Sequence, residues 1–352
     1  MVTPVTVLMP VYNGECFLER AIQSILFQTF EDFKFLIIDD GSTDSSPSIL
    51  NRYQSEDPRI EVIRNPVNIG LIKTLNKGLD AIDTKYVARM DCDDYAHPGR
   101  LEAQVNLMEA SPSVGACGTW ITVKDASNGS EYIQRYPTQH DKIKLDMLSY
   151  CAIAHPSVIL RKSFLDRHHL RYDPDFIHAE DYELWTRAIQ NFEFANIPEP
   201  LLEYNIHPQN ASSQNEKIQH EAAAKIRLKQ LSRLIMPQPK EGERITDLFT
   251  NQLPPPSTKQ DFIVIRDLLE RLFTANKKKQ IYRETLFDDF IFKTWYRICK
   301  KSKIPTISPT QEFIRSRISM QRGLFRFLIL SLKLSTKGLK RSLNRSNRAG
   351  QN

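Results

Sequence analysis

Residues 86–94 read Tyr86-Val87-Ala88-Arg89-Met90-Asp91-Cys92-Asp93-Asp94. A short, mostly apolar run that breaks abruptly into acids reads as a strand ending at Met90 and opening into an acidic loop. Toward the N-terminus the pattern recurs. Val5-Thr6-Val7-Leu8-Met9, Phe33-Lys34-Phe35-Leu36-Ile37-Ile38 and Ile60-Glu61-Val62-Ile63 read as three earlier strands. Between them the apolar period becomes helical. Residues 17–27 set Leu18, Ile22, Ile25 and Leu26 on one face, and residues 72–81 continue the pattern. Ser46-Pro47 reads as a cap and first-turn proline that open a helix reaching Tyr53. Strands alternating with helices predict βαβ units, so the expected fold is α/β, with a mainly parallel sheet flanked by helices. Ligands of such sheets bind beyond the carboxyl ends of the strands. The conspicuous polar residues fall there: Tyr12 and Asn13 after the first strand, Asp39 and Asp40 after the second, Asn68 near the third, and the acids after the fourth.

Downstream the pattern is mixed. Residues 101–108 read as a helix, 114–123 as a strand, 179–189 as a helix and 201–205 as a strand. A polar turn lies at Ser127-Asn128-Gly129. Beyond Ser213 the chain reads as charged and helical, with linkers at 237–242 and at Pro254-Pro255-Pro256. The expected organisation is a main domain over 1–213, a helical extension over 214–312 and a basic tail over 313–352. Within the main domain the pattern changes near residue 100, which divides it into 1–100 and 101–213.

Composition narrows the classes. With 352 residues, 41% hydrophobic and 26% charged, the chain is globular and can bury a full core. No run of about 18 apolar residues predicts a membrane-spanning helix. The N-terminus lacks a basic segment before its first apolar run, so no secretory signal is expected. Cys16, Cys92, Cys117, Cys151 and Cys299 are odd in number and form no C-x-x-C pair, which points to reduced thiols in a cytoplasmic protein. The formal net charge is +6, but residues 313–352 hold ten Lys or Arg and no acid, so the rest of the chain carries −4. That basic tail also carries apolar residues, among them Phe325, Leu328 and Ile329. A basic amphipathic segment of this kind predicts interfacial binding to an anionic membrane, or else a helix packed on the protein. No nucleic-acid-binding module surrounds these charges, so nucleic acid is not an expected partner.

The acids of 91–94 come first among candidate chemical groups. Carboxylates two apart on a strand-end loop can share one hard cation, which can also hold phosphate oxygens. The residues alone leave that reading beside an ordinary acidic turn. Glycine and distal glutamate spacing for an EF-hand are missing. Neither GxxxxGK[ST] nor GxGxxG occurs, which removes the main support for an ATPase or a dinucleotide dehydrogenase. Glu180-Asp181 reads either as acids in a first helical turn or as a general base. His207 follows a strand and is available as a structural residue or as a metal or diphosphate ligand.

Taken in order, Met9-Pro10-Val11-Tyr12-Asn13-Gly14, Gln28-Thr29-Phe30, Ile38-Asp39-Asp40-Gly41-Ser42-Thr43-Asp44, Asn68-Ile69-Gly70-Leu71, Met90-Asp91-Cys92-Asp93-Asp94, Pro98-Gly99-Arg100-Leu101, His155-Pro156-Ser157 and Glu180-Asp181 resemble family 2 glycosyltransferases of the GT-A, Rossmann-like fold. The resemblance spans roughly residues 4–213 and implies that 1–100 is the nucleotide-binding half and 101–213 the acceptor and catalytic half. It implies a non-processive, inverting enzyme that moves one sugar from a nucleotide-diphosphate sugar, a UDP-sugar, to a saccharide or lipid-linked acceptor in cell-surface glycan synthesis such as lipopolysaccharide. No QxxRW pattern of the processive synthases is present. By the resemblance, Tyr12 and Asp40 hold the nucleotide base, with Pro10 shaping the loop. Asn68, Gly70, Lys73 and Asn76 approach the donor. Asp91 contacts the ribose or assists the metal, Asp93 is the principal ligand of Mn²⁺ or Mg²⁺, and Asp94 extends the cluster and orients its neighbours. His207, by its own position after a strand rather than by the resemblance, is the candidate third metal ligand. Asp181 is the catalytic base and Glu180 supports it. The expected location is cytoplasmic, peripheral on the inner face of the membrane. A sugar-phosphate nucleotidyltransferase and a non-catalytic nucleotide-sugar-binding protein are the alternatives. The first lacks its glycine-rich N-terminal loop here, and the second has no need of Asp91, Asp93 and Asp181 together.

Overall fold

The structure, a computed structural model, describes residues 4–208, 215–236, 239–250, 256–302, 316 and 318. The chain divides into two compact units, Met1–Arg227 and Leu228–Asn352. The first is a mixed α/β body. Its strands are β1 (Val5–Val11), β2 (Phe33–Asp39), β3 (Ile60–Arg64), β4 (Tyr86–Arg89), β5 (Tyr95–Ala96), β6 (Val114–Asp125), β7 (Ser130–Gln134), β8 (Ile159–Arg161) and β9 (Glu193–Ile206). They form one sheet in the order β3-β2-β1-β4-β8-β6-β9-β5, with β7 hydrogen-bonded to β6.

β1 pairs in parallel with both β2 and β4, and β2 with β3. Every residue of β1 is buried, as a parallel strand covered on both faces requires. Val5, Val7, Met9 and Val11 join the apolar layer that includes α1 (Leu18–Leu26), whereas Leu8 joins the opposite layer with α3 (Leu71–Ala81). This is the two-residue alternation of a strand, packed on each side by a helix. Beyond β4 the directions mix: β8 is antiparallel to β4, and β6 to β8, while β9 runs parallel to β6.

Several elements escaped the sequence reading. β7 is one, and the short helices α5 (His140–Asp146) and α6 (Lys162–Arg167) are others. β9 is far longer than 201–205. Its register against β6 shifts around Thr119, Trp120 and Ile121, opposite Ile197, Pro200 and Leu202. Pro198 and Pro200 lack the N–H that a regular ladder needs. Helix α2 (Ser46–Glu56) begins one residue earlier than a Ser46 cap implies, and the Ser46 hydroxyl is spent elsewhere, accepting from Gly14 N at 2.9 Å. The other main helices of this unit are α4 (Arg100–Ala110) and α7 (Glu180–Ala188).

Helix α8 (Glu216–Leu231) spans the division between the units. In the second unit lie α9 (Pro239–Thr250), α10 (Lys259–Lys279) and α11 (Glu284–Lys301). The region read as a linker at 237–242 is thus helical from Pro239 onward, with proline at the first turn where its missing N–H costs nothing. Residues 251–255 lie outside the described residues. Phe262 of α10 packs on Trp295 of α11, ring centroids 4.9 Å apart. The tail over 313–352 lies, apart from Ser316 and Ile318, outside the described residues. Among the described residues no helix is long and apolar enough to cross a membrane.

Candidate active site

The loops after β1 and β2 are laced together. Asn13, at φ +50°, donates its N–H to Ser42 Oγ at 3.0 Å, and its Oδ1 accepts from Thr43 N at 2.8 Å. Glu15 N donates to Asp44 Oδ2 at 3.0 Å, and Glu15 Oε2 accepts from Ser45 N at 2.8 Å. Pro10 is buried within β1, and beyond it Tyr12 stands half exposed at the crevice. The two loops therefore form one wall with an aromatic ring on it.

Asp40 is buried, and both its oxygens are engaged. Oδ1 accepts from Asn65 Nδ2 at 2.8 Å and from Ile69 N at 2.9 Å, and Oδ2 accepts from Gly70 N at 2.9 Å. A carboxylate has about four acceptor positions, so one remains open. Asn68 Oδ1 also accepts from Gly70 N, and Gly70 takes φ +90° at the start of α3. Asp40 thus fixes the loop carrying Asn68 and Gly70. Lys73 is exposed on α3. Asn76, expected at the donor, brackets another loop: its Nδ2 donates to Tyr172 O at 2.9 Å and its Oδ1 accepts from Tyr172 N at 2.9 Å.

The acids gather past β4. Ligand atoms of Asp91, Asp93 and Asp94 lie within 4.8 Å of one another. Arg89, 3% exposed, forms an ion pair with Asp91 from below. Arg100, fully buried, donates through Nη2 to Arg89 O at 2.6 Å. Burial and then the neighbouring Arg89 bring the Arg100 guanidinium down to about 9. Asn205, at the end of β9, closes the loop from the other side: its Nδ2 donates to Asp93 O at 2.5 Å and its N–H to Asp94 Oδ1 at 3.1 Å. His207 Nε2 lies 3.1 Å from Asp93 Oδ2, and its ring stacks on Phe17 at 4.5 Å.

Glu180 and Asp181 open α7, close enough that Asp181 acts on Asp91 and Asp91 on Glu180. Burial first, then Asp93 and Asp181, push Asp91 up, against the pull of Arg89. Burial and then Asp181 bring Glu180 up to about 7, and burial also raises Asp181. Asp181 Oδ1 accepts from Tyr182 N at 2.6 Å, which leaves Oδ2 beside Cys151 Sγ at 3.7 Å. Behind them His155 Nε2 pairs with Tyr172 OH at 2.8 Å, and burial drives the imidazole well below its ordinary value.

Asp94 Oδ2 is buried with no hydrogen-bond partner, and burial followed by Asp91 and Asp93 holds its carboxyl well above the ordinary value. A lone buried carboxylate oxygen is costly unless a proton or cation meets it. Three hard-oxygen donors, a nearby imidazole and that unmet oxygen fit a divalent cation.

Residues 6–167 match the family model described as glycosyl transferase family 2. The chain is 36% identical over 231 residues to an uncharacterised glycosyltransferase of Haemophilus influenzae, covering 63% of this chain and 72% of that protein. The chain belongs to glycosyltransferase family 2. This glycosyltransferase is also 30% identical over 233 residues to the O-antigen biosynthesis glycosyltransferase WbnJ of Escherichia coli, across 64% of its own length and 88% of WbnJ. Among solved structures it resembles residues 1–349 of S. aureus TarS, determined in complex with UDP-GlcNAc. The TM-score is 0.56 at 18% identity, covering 85% of this chain and 84% of that one. That likeness gives the fold of the glycosyltransferase, GT-A.

Arg89, Asn205 and Cys151 are the members of the site that the motifs did not single out. A charge inside an otherwise apolar strand was the available signal for Arg89. Nothing local marks Asn205 or Cys151, which reach the site only through tertiary pairing.

Proposed function

We propose that the protein is an inverting, metal-dependent glycosyltransferase that moves one sugar from a UDP-sugar to a saccharide or lipid-linked saccharide in surface-polysaccharide synthesis. The observation that carries this reading is the nearness of two acidic groups, Asp91, Asp93 and Asp94 gathered within 4.8 Å and Glu180 and Asp181 acting on them.

Tyr12 offers a ring to the base, and Asp40 its remaining acceptor position. Asn68, Gly70 and Lys73 border the donor. A bound Mg²⁺ or Mn²⁺, held by Asp93 and Asp91 with Asp94 or His207, would neutralise the diphosphate leaving group. Asp181 Oδ2 accepts from Cys151 Sγ at 3.7 Å and keeps acceptor capacity for a further partner. It orients an acceptor hydroxyl and takes its proton as that oxygen attacks the anomeric carbon. One base and one displacement give inversion, and Glu180 keeps the pocket acidic beside it. The names of WbnJ, an O-antigen enzyme, and of the TarS complex with UDP-GlcNAc support the glycan and nucleotide assignments. The basic stretch over 313–352 would hold the enzyme on the inner membrane face, near lipid-linked acceptors, and liposome flotation with and without it tests that part.

The main test is release of nucleoside diphosphate from a UDP-sugar panel with Mn²⁺ or Mg²⁺. Asp93→Ala should abolish metal-dependent release. Asp181→Asn should retain UDP binding and lose transfer, and normal transfer by that variant would overturn the base assignment.

A further inference from the structure

Two helices of the second unit end against each other. Lys279, the last residue of α10, donates through Nζ to Arg233 O at 2.7 Å, just past the end of α8. Gln280 then takes φ +51° and turns the chain toward α11. Asn276, 1% exposed, holds that turn: its Nδ2 donates to Tyr282 O at 3.0 Å and its Oδ1 accepts from Tyr282 N at 2.9 Å. The buried ring of Tyr282 stacks on Phe287 at 5.4 Å, so the turn is anchored in apolar packing. This corner presents Arg233, Lys277, Lys278, Lys279 and Arg283, all exposed.

Helix ends explain part of this charge. A helix C-terminus carries about half a negative charge and attracts cations. The ends of α8 and α10 make about one between them, and Glu284, 3.3 Å from Lys277, adds an acid. Among the described residues of the corner, the cations exceed that by about three. Arg283 also stands at the N-cap of α11, the end where a cation is disfavoured. Like charges held together on a fixed backbone repel, which an anionic partner relieves. An apolar side chain stands with them. Met236 lies three residues beyond Arg233 and is 84% exposed, while Leu234 between them is buried. Free phosphate and a nucleic-acid backbone meet cations and leave a methionine in water. An anionic bilayer meets both, with phosphates for the cations and acyl chains for the thioether.

We propose that this corner, with Met236 beside it, is a docking surface for an anionic lipid bilayer. It is separate in sequence from the basic stretch over 313–352. It goes beyond the proposed function, since neither donor nor acceptor chemistry bears on it. Each Lys or Arg at such a surface strengthens partition about fivefold. A methionine side chain taken out of water adds about tenfold.

Sedimentation of the full chain with vesicles tests this. The parent should bind vesicles of equimolar phosphatidylglycerol and phosphatidylcholine, and bind phosphatidylcholine alone far more weakly. Arg233→Gln/Lys278→Gln should lower the partition about twenty-five-fold, two charges at about fivefold each. Met236→Ser should lower it about tenfold. Lys34→Gln/Lys85→Gln removes the same charge from the first unit and should bind as the parent does. All these side chains are exposed, so the variants should fold, and a melting curve checks it. Equal partition by Arg233→Gln/Lys278→Gln and parent would leave any binding to 313–352 and overturn the corner. So would an equal loss in Lys34→Gln/Lys85→Gln, no binding by the parent, or equal binding to phosphatidylcholine alone. A single-stranded RNA oligonucleotide whose binding falls in Arg233→Gln/Lys278→Gln, with vesicle partition unchanged, would make the partner nucleic acid and overturn the bilayer. Failure of the parent to release UDP from any donor, with these vesicle results intact, overturns the proposed function and leaves the docking surface standing.

Discussion

Arg89 pairs with Asp91 while its own carbonyl accepts from the buried Arg100 at 2.6 Å, so two buried arginines back the acidic loop. Asn205 and His207 also reach Asp93 and Asp94. Removing one partner of a buried ion pair costs about 3–5 kcal/mol, because the other charge stays behind. Arg89→Met should therefore lower the urea midpoint clearly. Saturating Mn²⁺ should recover part of the loss, since a cation at the cluster offsets the stranded Asp91. Equal urea midpoints for Arg89→Met and parent would refute this account.

Gly41 sits at φ +74°, and a Cβ there would lie 2.6 Å from Val67 C and 2.7 Å from Asn68 N. Both are backbone atoms, in the loop that Asp40 tethers at Ile69 and Gly70. Gly41→Ala should cost about 1–3 kcal/mol and displace that loop. Denaturant unfolding and UDP titration read the two effects separately. A variant as stable as the parent and with the same UDP affinity would show that the contact can relax freely.

Glu180 stands at about 7, raised by burial and then by Asp181 from an ordinary value of 4.5. A carboxyl raised on folding favours the folded state when protonated. Its contribution is complete below pH 4.5 and is lost as pH rises through 7. In chelator, Glu180→Gln should have a higher thermal midpoint than the parent at pH 8, and the gap should close toward pH 4.5. A gap of constant size across that range would mean that Glu180 is not the group responsible.

The first hundred residues were legible because their strands are buried on both faces, so β1, β2 and β4 read as nearly unbroken apolar runs ending in polar loops. Residues 101–213 were not. Pro198 and Pro200 interrupt the pattern of β9, and its register shifts against β6 hide its length. Asp91, Asp93 and Asp181 were visible as acids beside elements. Arg89 was read only as part of a strand, although a lone charge in such a run needs a buried partner. Asn76 shows the converse: its bond to Tyr172 crosses 96 positions, and no local pattern announces it.

Asp94 and Asn205 are separated by 111 positions, yet the acidic loop takes its shape from their hydrogen bond and from that of Asn205 with Asp93. β5, directly after the acids, likewise waits for β9 before it has a partner. At about 5–20 residues per second on the ribosome, the acids emerge several seconds before the segment that closes over them. The newborn chain thus carries its parallel strands early and its finished acidic loop late, and a ribosome stalled between the two displays that loop without the segment that shapes it.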